Sequence, residues 1–203
     1  PYRIMPDKQK ILAVIKEQGM LPLFYHPDRE LSLDIVKTLY NAGVKTLEYT
    51  NRGAAALENF RYLKQNTKDL EGFYLGIGTI KNAKEAEDFI EAGADYIVAP
   101  TVNEKVAEAV KKRDLLWIPG CMTPTEISQA QSLGALLIKL FPANILGPGF
   151  MSAIRELFAG QNFMPTGGVE IEEGNLKTWF KSGVCAVGMG SKLITKDVME
   201  SGD

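Results

Sequence analysis

Apolar residues along the chain form short continuous runs separated by longer amphipathic stretches. The runs predict eight strands, near residues 20–25, 45–50, 73–78, 96–99, 115–119, 136–141, 163–166 and 184–188. Runs of this kind are typical of strands buried on both faces of a parallel sheet. Between them, apolar residues at three- and four-residue steps predict helices, most clearly over 31–40 and 83–92. Residues 7–18 predict an additional helix before the first strand.

A glycine recurs where a predicted helix gives way to the next strand. The four instances are Gly43, Gly93, Gly134 and Gly183. Glycine is favoured just after a helix because it adopts the left-handed conformation without steric cost. Each interval between these glycines holds one further strand, so the repeating unit is a strand, a turn and a helix of roughly 20–25 residues.

Eight such units in succession predict an α/β fold, a closed (β/α)8 TIM barrel with an extra N-terminal helix. We expect a single barrel domain over residues 1–203, because no linker or low-complexity tract interrupts the units. An open doubly wound sheet is the alternative. Such a sheet usually carries a glycine-rich dinucleotide turn after an early strand, and the sequence has none.

The composition narrows the classes of function. With 45% hydrophobic residues, 24% charged residues and a net charge of −2, the chain is typical of a soluble protein without a nucleic-acid surface. No apolar stretch approaches the roughly 18 residues that span a membrane, and residues 1–8 lack the apolar core of a signal peptide.

The counts of cysteine and histidine disfavour several chemistries. Cys121 and Cys185 lie far apart in the sequence, which favours a reducing, cytoplasmic setting over a disulfide framework. His26 is the only histidine, so the usual zinc sites and a Ser-His-Asp triad are disfavoured. These counts do not argue against a magnesium site formed by carboxylates.

Lys139 interrupts the apolar run over residues 135–142. A buried ammonium group must be paired, must extend to water or must be held neutral. The ordinary interpretation is a lysine whose stem crosses the strand edge while its head group reaches solvent. The alternative is a desolvated amine, kept partly neutral, that attacks a carbonyl group.

Glu48 is the predicted partner of this amine. Alternation along the second strand places Leu47 and Tyr49 towards the helices and Glu48 towards the barrel interior, the side on which Lys139 is expected. The pair is either a buried structural ion pair or a nucleophile with a carboxyl acid/base beside it. Apolar neighbours would lower the pKa of the amine, whereas an ionised Glu48 would oppose that shift. We therefore predict a water-filled gap or a shared proton between the two groups.

Two glycine-containing loops follow the last two predicted strands, and both are candidates for binding phosphate. One is Pro165-Thr-Gly-Gly-Val169, and the other, Gly188-Met-Gly-Ser-Lys192, is predicted to open a helix. Barrels commonly bind phosphate with the loops after strands seven and eight, because glycine lets backbone N–H groups approach the anion. A plain turn is the commoner meaning of Gly-Gly, so the prediction depends on the barrel.

Other candidate contacts lie at predicted strand ends. Arg52 follows the second strand and is either a bidentate carboxylate ligand or a solvated loop residue. Gly76 and Gly78 leave room beside the third strand, and Thr79 follows as a hydrogen-bonding group. Residues at the rim complete the set of candidate substrate contacts: Pro100, which alternatively only stops a strand, Phe141 and Thr166.

These residues occur in motifs that resemble a known family. The motifs are Glu48-x-Thr50-x-Arg52, Gly76-x-Gly78-Thr79, Pro119-Gly120-x-x-Thr123-Pro-Thr-Glu126, Lys139-Leu-Phe-Pro142 and Pro165-Thr-Gly-Gly-Val169. Their order is similar to that in class I 2-keto-3-deoxy-6-phosphogluconate (KDPG) aldolases. That group includes 4-hydroxy-2-oxoglutarate (KHG) and 2-keto-3-deoxy-6-phosphogalactonate aldolases, and the resemblance covers nearly the whole chain.

The resemblance implies a homotrimer of barrels that needs no metal and no cofactor. It implies that Lys139 forms a Schiff base with pyruvate and that Glu48 shuttles protons through a water molecule. Arg52 and Thr79 would hold the pyruvyl carboxylate. The phosphate would be held by Gly167, Gly168, Gly190 and Ser191. One position departs from the family, which commonly has an arginine at the end of the first strand, where this sequence has Tyr25 and His26.

The function we expect is that of a Schiff-base aldolase cleaving KDPG into pyruvate and glyceraldehyde 3-phosphate. Its partners would be this phosphorylated keto acid and pyruvate, with no nucleic acid and no membrane. The alternatives within the enzymes are a preference for KHG, which carries no phosphate, or for the galactonate analogue. The alternative from another class is a phosphosugar-binding barrel without turnover, although a binder has no evident need for a buried reactive amine.

Overall fold

Strands and helices alternate along the computed structural model, which describes residues 6–202. The strands are β1 (Met20–Phe24), β2 (Thr46–Thr50), β3 (Tyr74–Gly78), β4 (Tyr96–Val98), β5 (Leu116–Ile118), β6 (Gly120–Cys121), β7 (Leu137–Leu140), β8 (Asn162–Pro165) and β9 (Val187–Met189). The helices are α1 (Lys8–Gln18), α2 (Arg29–Asn41), α3 (Ala56–Asn66), α4 (Ala83–Glu91), α5 (Glu104–Lys111), α6 (Pro124–Ser132), α7 (Ala143–Ile154), α8 (Glu173–Ser182) and α9 (Lys196–Ser201). The prediction about a signal peptide concerns residues 1–8, of which 1–5 lie outside the described part.

Local sequence explains where the helices begin and end. The predicted first helix is present, and its N-cap Asp7 accepts a hydrogen bond from the backbone N–H of Gln9 at 2.8 Å. Asp28 caps α2 and Asn82 caps α4 in the same way. The predicted left-handed glycines are confirmed, with φ of 100°, 104°, 91° and 111° at Gly43, Gly93, Gly134 and Gly183.

The strands form two parallel sheets rather than one continuous ladder. The larger has the order β5-β4-β3-β2-β1-β9 and the smaller β6-β7-β8. The predicted fifth strand, residues 115–119, corresponds to β5 and stops at Pro119, which has no N–H to donate to a ladder. The short strand β6 that follows Pro119 was not predicted. Two backbone hydrogen bonds lie at the seams between the sheets, from Lys139 N to Pro119 O at 2.9 Å and from Cys185 N to Phe163 O at 3.0 Å.

Two hydrophobic cores lie on opposite faces of the strands. The outer core joins strands to helices and contains Leu47 and Tyr49, as the alternation along β2 predicts. The inner core contains Leu137 of β7, together with Ile11 and Ile15 of α1. This inner core takes residues from both sheets, so the two sheets share one apolar cluster.

Helix α1 covers the amino-terminal ends of the strands. Gln18, its last residue, donates to Thr46 O at 2.8 Å and accepts from Lys45 N at 2.7 Å, which ties the helix to the start of β2. The opposite, carboxyl-terminal ends are left for a binding site, as is usual in parallel α/β folds. Among residues 6–202, no helix is both long and apolar enough to cross a membrane.

Candidate active site

A cavity of about 320 Å³ opens at the carboxyl-terminal ends of five strands, β1, β2, β7, β8 and β9. Eight predicted site residues line it, which are Arg52, Lys139, Phe141, Thr166, Gly167, Gly168, Gly190 and Ser191. The loops that carry them are separated by up to 139 residues, from position 52 to position 191, along the chain. The parallel arrangement brings them together because it gathers every strand end at one edge.

Lys139 lies in the wall of this cavity near the end of β7. Its side chain is buried, with 6% of the residue exposed, and Nζ lies 4.7 Å from the centre of the Phe141 ring. The neighbours on either side along the strand, Ile138 and Leu140, are fully buried in the outer core. The interpretation of Lys139 as a lysine whose head group extends to bulk solvent is therefore wrong.

Glu48, at the centre of β2, is also buried, with 1% of the residue exposed. Its carboxyl group lies directly against Gly78 of β3, where a Cβ atom would overlap an Oε oxygen. The other glycine of that strand, Gly76, makes room for the ring of Tyr96. The space that the two glycines were predicted to leave is thus filled by Glu48 and Tyr96.

The two buried charges influence each other without direct contact. Burial lowers the pKa of the Lys139 amine, the charge of Glu48 opposes that shift, and the charge of Arg52 adds to it. Burial likewise raises the pKa of the Glu48 carboxyl, opposed by the charges of Lys139 and Arg52. Within residues 6–202, neither group makes an ion pair within 4.0 Å or a side-chain hydrogen bond, as the predicted gap requires. Burial therefore favours the uncharged form of each group, and the charge of the other group limits that shift.

The two late loops, residues 165–169 and 188–192, line the cavity and contain backbone N–H groups without a backbone acceptor among residues 6–202. In the described part of the chain, no backbone acceptor bonds the N–H groups of Gly167, Gly168, Ser191 or Lys192. Left-handed backbone at Gly167 (φ 97°) and Gly168 (φ 71°) turns that loop sharply. A cluster of free N–H donors at a cavity rim is an arrangement that binds anions.

The second of these loops does not open a helix, which corrects the prediction for Gly188–Lys192. Gly188 belongs to β9, and Leu193 N and Ile194 N both donate to Gly190 O in a tight turn. The short helix α9 begins only at Lys196, after its N-cap Thr195. The loop can therefore offer separate N–H groups and side chains to an anion, but no helix dipole.

Thr166 carries an unsatisfied polar atom. Its Oγ1 is buried and has no hydrogen-bond partner among the described residues, and Gly188 leaves space for it, since a Cβ there would overlap this oxygen. A buried hydroxyl without a partner is destabilising by about 1–3 kcal/mol. Because Thr166 lines the cavity, a ligand hydroxyl or a water molecule is the expected partner.

At the end of β1, the rim is aromatic rather than cationic. Tyr25 lines the cavity, packs against Tyr49 with ring centres 5.6 Å apart, and lies directly over Gly53 beside Arg52. The carbonyl oxygen of His26 accepts hydrogen bonds from Tyr49, at 2.8 Å, and from Ser32 and Asn59. These bonds fix the backbone next to Tyr25 and so hold its ring at the cavity wall.

Three predicted site residues lie outside the cavity wall. Glu48, in β2, is not among the residues that line the cavity. Thr79 and Pro100 follow β3 and β4, which come after β2 in the strand order of the larger sheet, away from β1 and β9. Thr79 has a φ of 61°, which is unusual for a β-branched residue. Strain of this kind is concentrated at functional sites, so Thr79 remains a candidate on conformational grounds.

Lys192 is the cavity residue whose chemistry the sequence reasoning missed. It lines the wall beside Ser191 and forms an ion pair with Glu170 at 3.0 Å. Its position directly after Gly190-Ser191 in a candidate phosphate loop was the available clue.

Within residues 6–202, no group of three or more His, Cys, Asp or Glu residues is arranged to hold a metal ion.

Comparison with known proteins agrees with this geometry. A family model described as KDPG and KHG aldolase matches residues 11–203. A 2-dehydro-3-deoxy-phosphogluconate aldolase from Dickeya dadantii is 31% identical over 185 residues. The matched region covers 91% of this chain and 84% of that relative.

Solved structures are similar over most of their length. One is a 4-hydroxy-2-oxoglutarate/2-dehydro-3-deoxyphosphogluconate aldolase from TTHB1, with 36% identity, a TM-score of 0.80, and coverage of 94% and 92% of the two chains. Another is a KDPG aldolase from Legionella pneumophila with pyruvate captured as a covalent carbinolamine, with 25% identity, a TM-score of 0.85, and coverage of 94% and 90%.

Proposed function

The chain belongs to the KDPG and KHG aldolase family, and from this premise we propose which of its residues perform the cleavage. It is a carbon–carbon lyase of the 2-dehydro-3-deoxy-phosphogluconate aldolase type. The observation that carries the proposal is Lys139, a buried amine with a lowered pKa in the wall of a cavity that contains cationic and N–H donors. Glu48 is the buried carboxyl group electrostatically coupled to it.

Lys139 is the nucleophile. A lysine amine attacks a carbonyl only when neutral, and burial supplies the bias against the ammonium form. The Nζ lone pair adds to C2 of the keto acid to give a carbinolamine, and loss of water then gives a protonated imine. The relative from Legionella pneumophila, in which pyruvate is captured as a carbinolamine, supports this order of steps.

The imine accepts the electrons of the bond that breaks. A base removes the proton of the C4 hydroxyl, the C4–O bond becomes a carbonyl, and the C3–C4 electron pair moves into the imine. Glyceraldehyde 3-phosphate leaves and an enamine stays on Lys139. Protonation at C3 and hydrolysis of the imine then release pyruvate and regenerate the amine.

Glu48 carries the protons in these steps. Its carboxyl group has a raised pKa, and such a group exchanges protons efficiently near neutral pH. It makes no direct bond to Lys139 in the described chain, so a water molecule between the two would relay the proton. The carboxyl is held in one position because Gly78 leaves just enough space for it.

The two ends of the substrate are both anionic and require different partners. We assign the pyruvyl carboxylate to Arg52 and Thr79, at the ends of β2 and β3, which are neighbours in the larger sheet. We assign the phosphate to the free N–H groups around Gly167, Gly168, Gly190 and Ser191. Phe141 and Thr166 would form the wall between these two ends, with Thr166 Oγ1 bonded to a substrate hydroxyl. Pro100, outside this wall, stays a predicted substrate contact.

We propose further that the two sheets close into one (β/α)8 barrel over a single domain, capped by α1. The shared inner core and the two seam hydrogen bonds support closure. We also propose a homotrimer, supported by the exposed Leu157 and Met122 beside an open depression that Pro124 and Leu157 line. Both cysteines are free thiols, which supports a cytoplasmic setting.

Borohydride reduction in the presence of pyruvate tests the nucleophile. Peptide mapping is expected to find the reduced adduct on Lys139, and Lys139→Met should lose the adduct and lower kcat on the order of 10³-fold or more. Lys196→Met, at an exposed position on α9, is the matched control and should keep both. Full activity in Lys139→Met would exclude this mechanism.

The substrate is tested by comparing kcat/KM for KDPG with that for KHG and the galactonate analogue. A preference for KDPG over KHG is expected, since only the phosphorylated compound uses the N–H groups of the late loops. A preference for KHG is the second candidate, and the aromatic Tyr25 at the β1 rim favours it because that rim adds no cation.

A further inference from the structure

We propose that Lys192 is a specificity-determining residue that binds the phosphate end of the substrate, and that Glu170 holds it in place until the phosphate displaces the Glu170 carboxylate. The inference rests on the proposed function and names a residue of the same site outside the family motifs. It assigns to the loop after β9 the cation that the end of β1 does not supply.

The charges in the cavity wall leave one cation without a role. Of the described residues that line the cavity, Arg52, Lys139 and Lys192 are the positively charged ones, and none is acidic. Arg52 is assigned to the carboxylate and Lys139 to the imine. A phosphate monoester is largely dianionic at neutral pH, so N–H donors alone would leave its charge without a counter-ion.

Lys192 is correctly placed to fill this role. It follows Gly190 and Ser191 in the loop after β9, and Thr166, Gly167 and Gly168 form the loop after β8 on the same cavity. Its ammonium group therefore lies beside the free N–H groups that are the proposed phosphate ligands. Lys192 is about half exposed, so its side chain has room to move towards the cavity.

Glu170 gives Lys192 a resting partner in the opposite loop. The carboxylate lies 3.0 Å from Nζ, and both side chains are 49% exposed. The backbone of Glu170 is anchored, because its N–H donates to Asn175 Oδ1 of α8 at 3.2 Å. The pair thus connects the loop after β9 to the loop after β8 at the Lys192 side of the proposed phosphate site.

Exposed ion pairs of this kind are weak, because water screens both charges. A phosphate offers two charges and three acceptor oxygens, and charge-assisted hydrogen bonds to it are stronger. Exchange of Glu170 for phosphate is therefore favourable. It costs a phosphorylated substrate part of its binding energy, whereas a substrate without phosphate leaves the pair in place.

The test compares two substrates that differ only in phosphate, KDPG and 2-keto-3-deoxygluconate. Lys192→Met is expected to lower the ratio of their kcat/KM values about tenfold, mainly through KM for KDPG. Lys192→Arg should restore most of this ratio. Lys196→Met is the matched control, because Lys196 is exposed on α9 and outside the cavity wall.

Glu170→Gln supplies the opposite change. It removes the competing carboxylate and should raise kcat/KM for KDPG about two- to threefold. In the Lys192→Met background the same substitution should have no effect, because the cation for which Glu170 competes is gone. An equal fall for both substrates in Lys192→Met, or an unchanged ratio, would overturn the inference.

Failure of the proposed function would be recognised separately. It appears as a wild-type chain that pyruvate and borohydride do not label. In that event, thermal stabilisation by inorganic phosphate still decides the role of Lys192. The wild-type chain should gain more stability from phosphate than Lys192→Met does, and equal gains would count against Lys192.

Discussion

At the scale of single residues, the site depends on opposing influences on one amine. Burial and Arg52 favour the neutral form of Lys139, and the Glu48 charge favours the ammonium. A lysine deprived of water completely would be hard to protonate again after hydrolysis of the imine. The partial opposition by Glu48 keeps both forms of the amine accessible, which the proposed cycle through an imine requires.

This balance predicts opposite pH responses for two substitutions. The rate of pyruvate trapping should rise with pH through the pKa of Lys139, because only the neutral amine attacks. Glu48→Gln removes a charge that raises this pKa, so the midpoint should move to lower pH. Arg52→Gln removes a charge that lowers it, so the midpoint should move to higher pH.

The measurement is the initial rate of borohydride-trapped adduct between pH 5 and 10, with Glu173→Gln as control. Glu173 is 79% exposed on α8 and pairs with Lys177, so its loss should leave the midpoint in place. Midpoints that move in the same direction for Glu48→Gln and Arg52→Gln would contradict the electrostatic account of Lys139.

At the scale of elements, strand β3 leaves space for side chains of the two strands beside it. Its two glycines face the Glu48 carboxyl on one neighbouring strand, β2, and the Tyr96 ring on the other, β4. The Tyr96 hydroxyl bonds Thr46 Oγ1 at 2.8 Å, which ties β4 back to β2 across the glycine. A strand without side chains at these positions thus holds Glu48, the proposed acid/base, in place.

Gly78→Ala should therefore damage both stability and catalysis. The added Cβ overlaps the Glu48 carboxyl, so we expect a loss of about 1–3 kcal/mol in the free energy of unfolding. Displacement of the proton carrier should lower kcat by about 10²-fold or more. Urea unfolding and steady-state kinetics measure the two effects.

Gly149→Ala is the matched control. Nothing lies within 4 Å of a Cβ built at Gly149, and the residue lies in α7, where alanine is favoured over glycine. This variant should be as stable as the wild type or slightly more so, with unchanged kcat. Equal effects of the two substitutions would mean that space around Glu48 is not what Gly78 provides.

At the scale of the whole molecule, the amino-terminal and carboxyl-terminal ends of the strands have different tasks. Helix α1 closes the amino-terminal end with Ile11, Leu12 and Ile15 in the inner core. The cavity occupies the carboxyl-terminal end. Lys139 lies in the wall of this cavity and is only 6% exposed, and this burial lowers its pKa.

The proposed homotrimer is tested at this scale. Its expected mass in solution is three times the 22.4 kDa of one chain. Leu157→Glu places a charge on the exposed apolar residue beside Phe158 and should yield monomers, because an unpaired charge is costly in an apolar interface. Sedimentation equilibrium measures the mass.

Val198→Glu is the corresponding control. Val198 is an exposed apolar residue on α9, and its substitution should leave the trimer intact. A wild-type chain that is monomeric, or a Leu157→Glu variant that remains trimeric, would contradict the proposed interface around Leu157.

The sequence by itself determined the elements and the residues with unusual chemistry. Apolar runs located all eight predicted strands, and glycines such as Gly43 and Gly183 marked helix ends, because both depend on local backbone preferences and burial. Lys139 and Glu48 were identified because a charge within an apolar strand conflicts with its surroundings. The end of the fifth strand at Pro119 was equally local, since proline lacks the N–H that the ladder needs. The short strand β6 after it was missed, because Gly120 and Cys121 form no apolar run.

Only the tertiary structure decided how these residues combine. Two features depend on how far apart the side chains of different strands lie. They are the absence of a direct Glu48–Lys139 bond and the unsatisfied Thr166 hydroxyl. The Lys192–Glu170 pair depends on such distances as well, and it joins loops whose shapes follow from the turn at Gly190. Spacing along a chain carries no information about such distances, because they are set when the strands are brought side by side and their side chains pack.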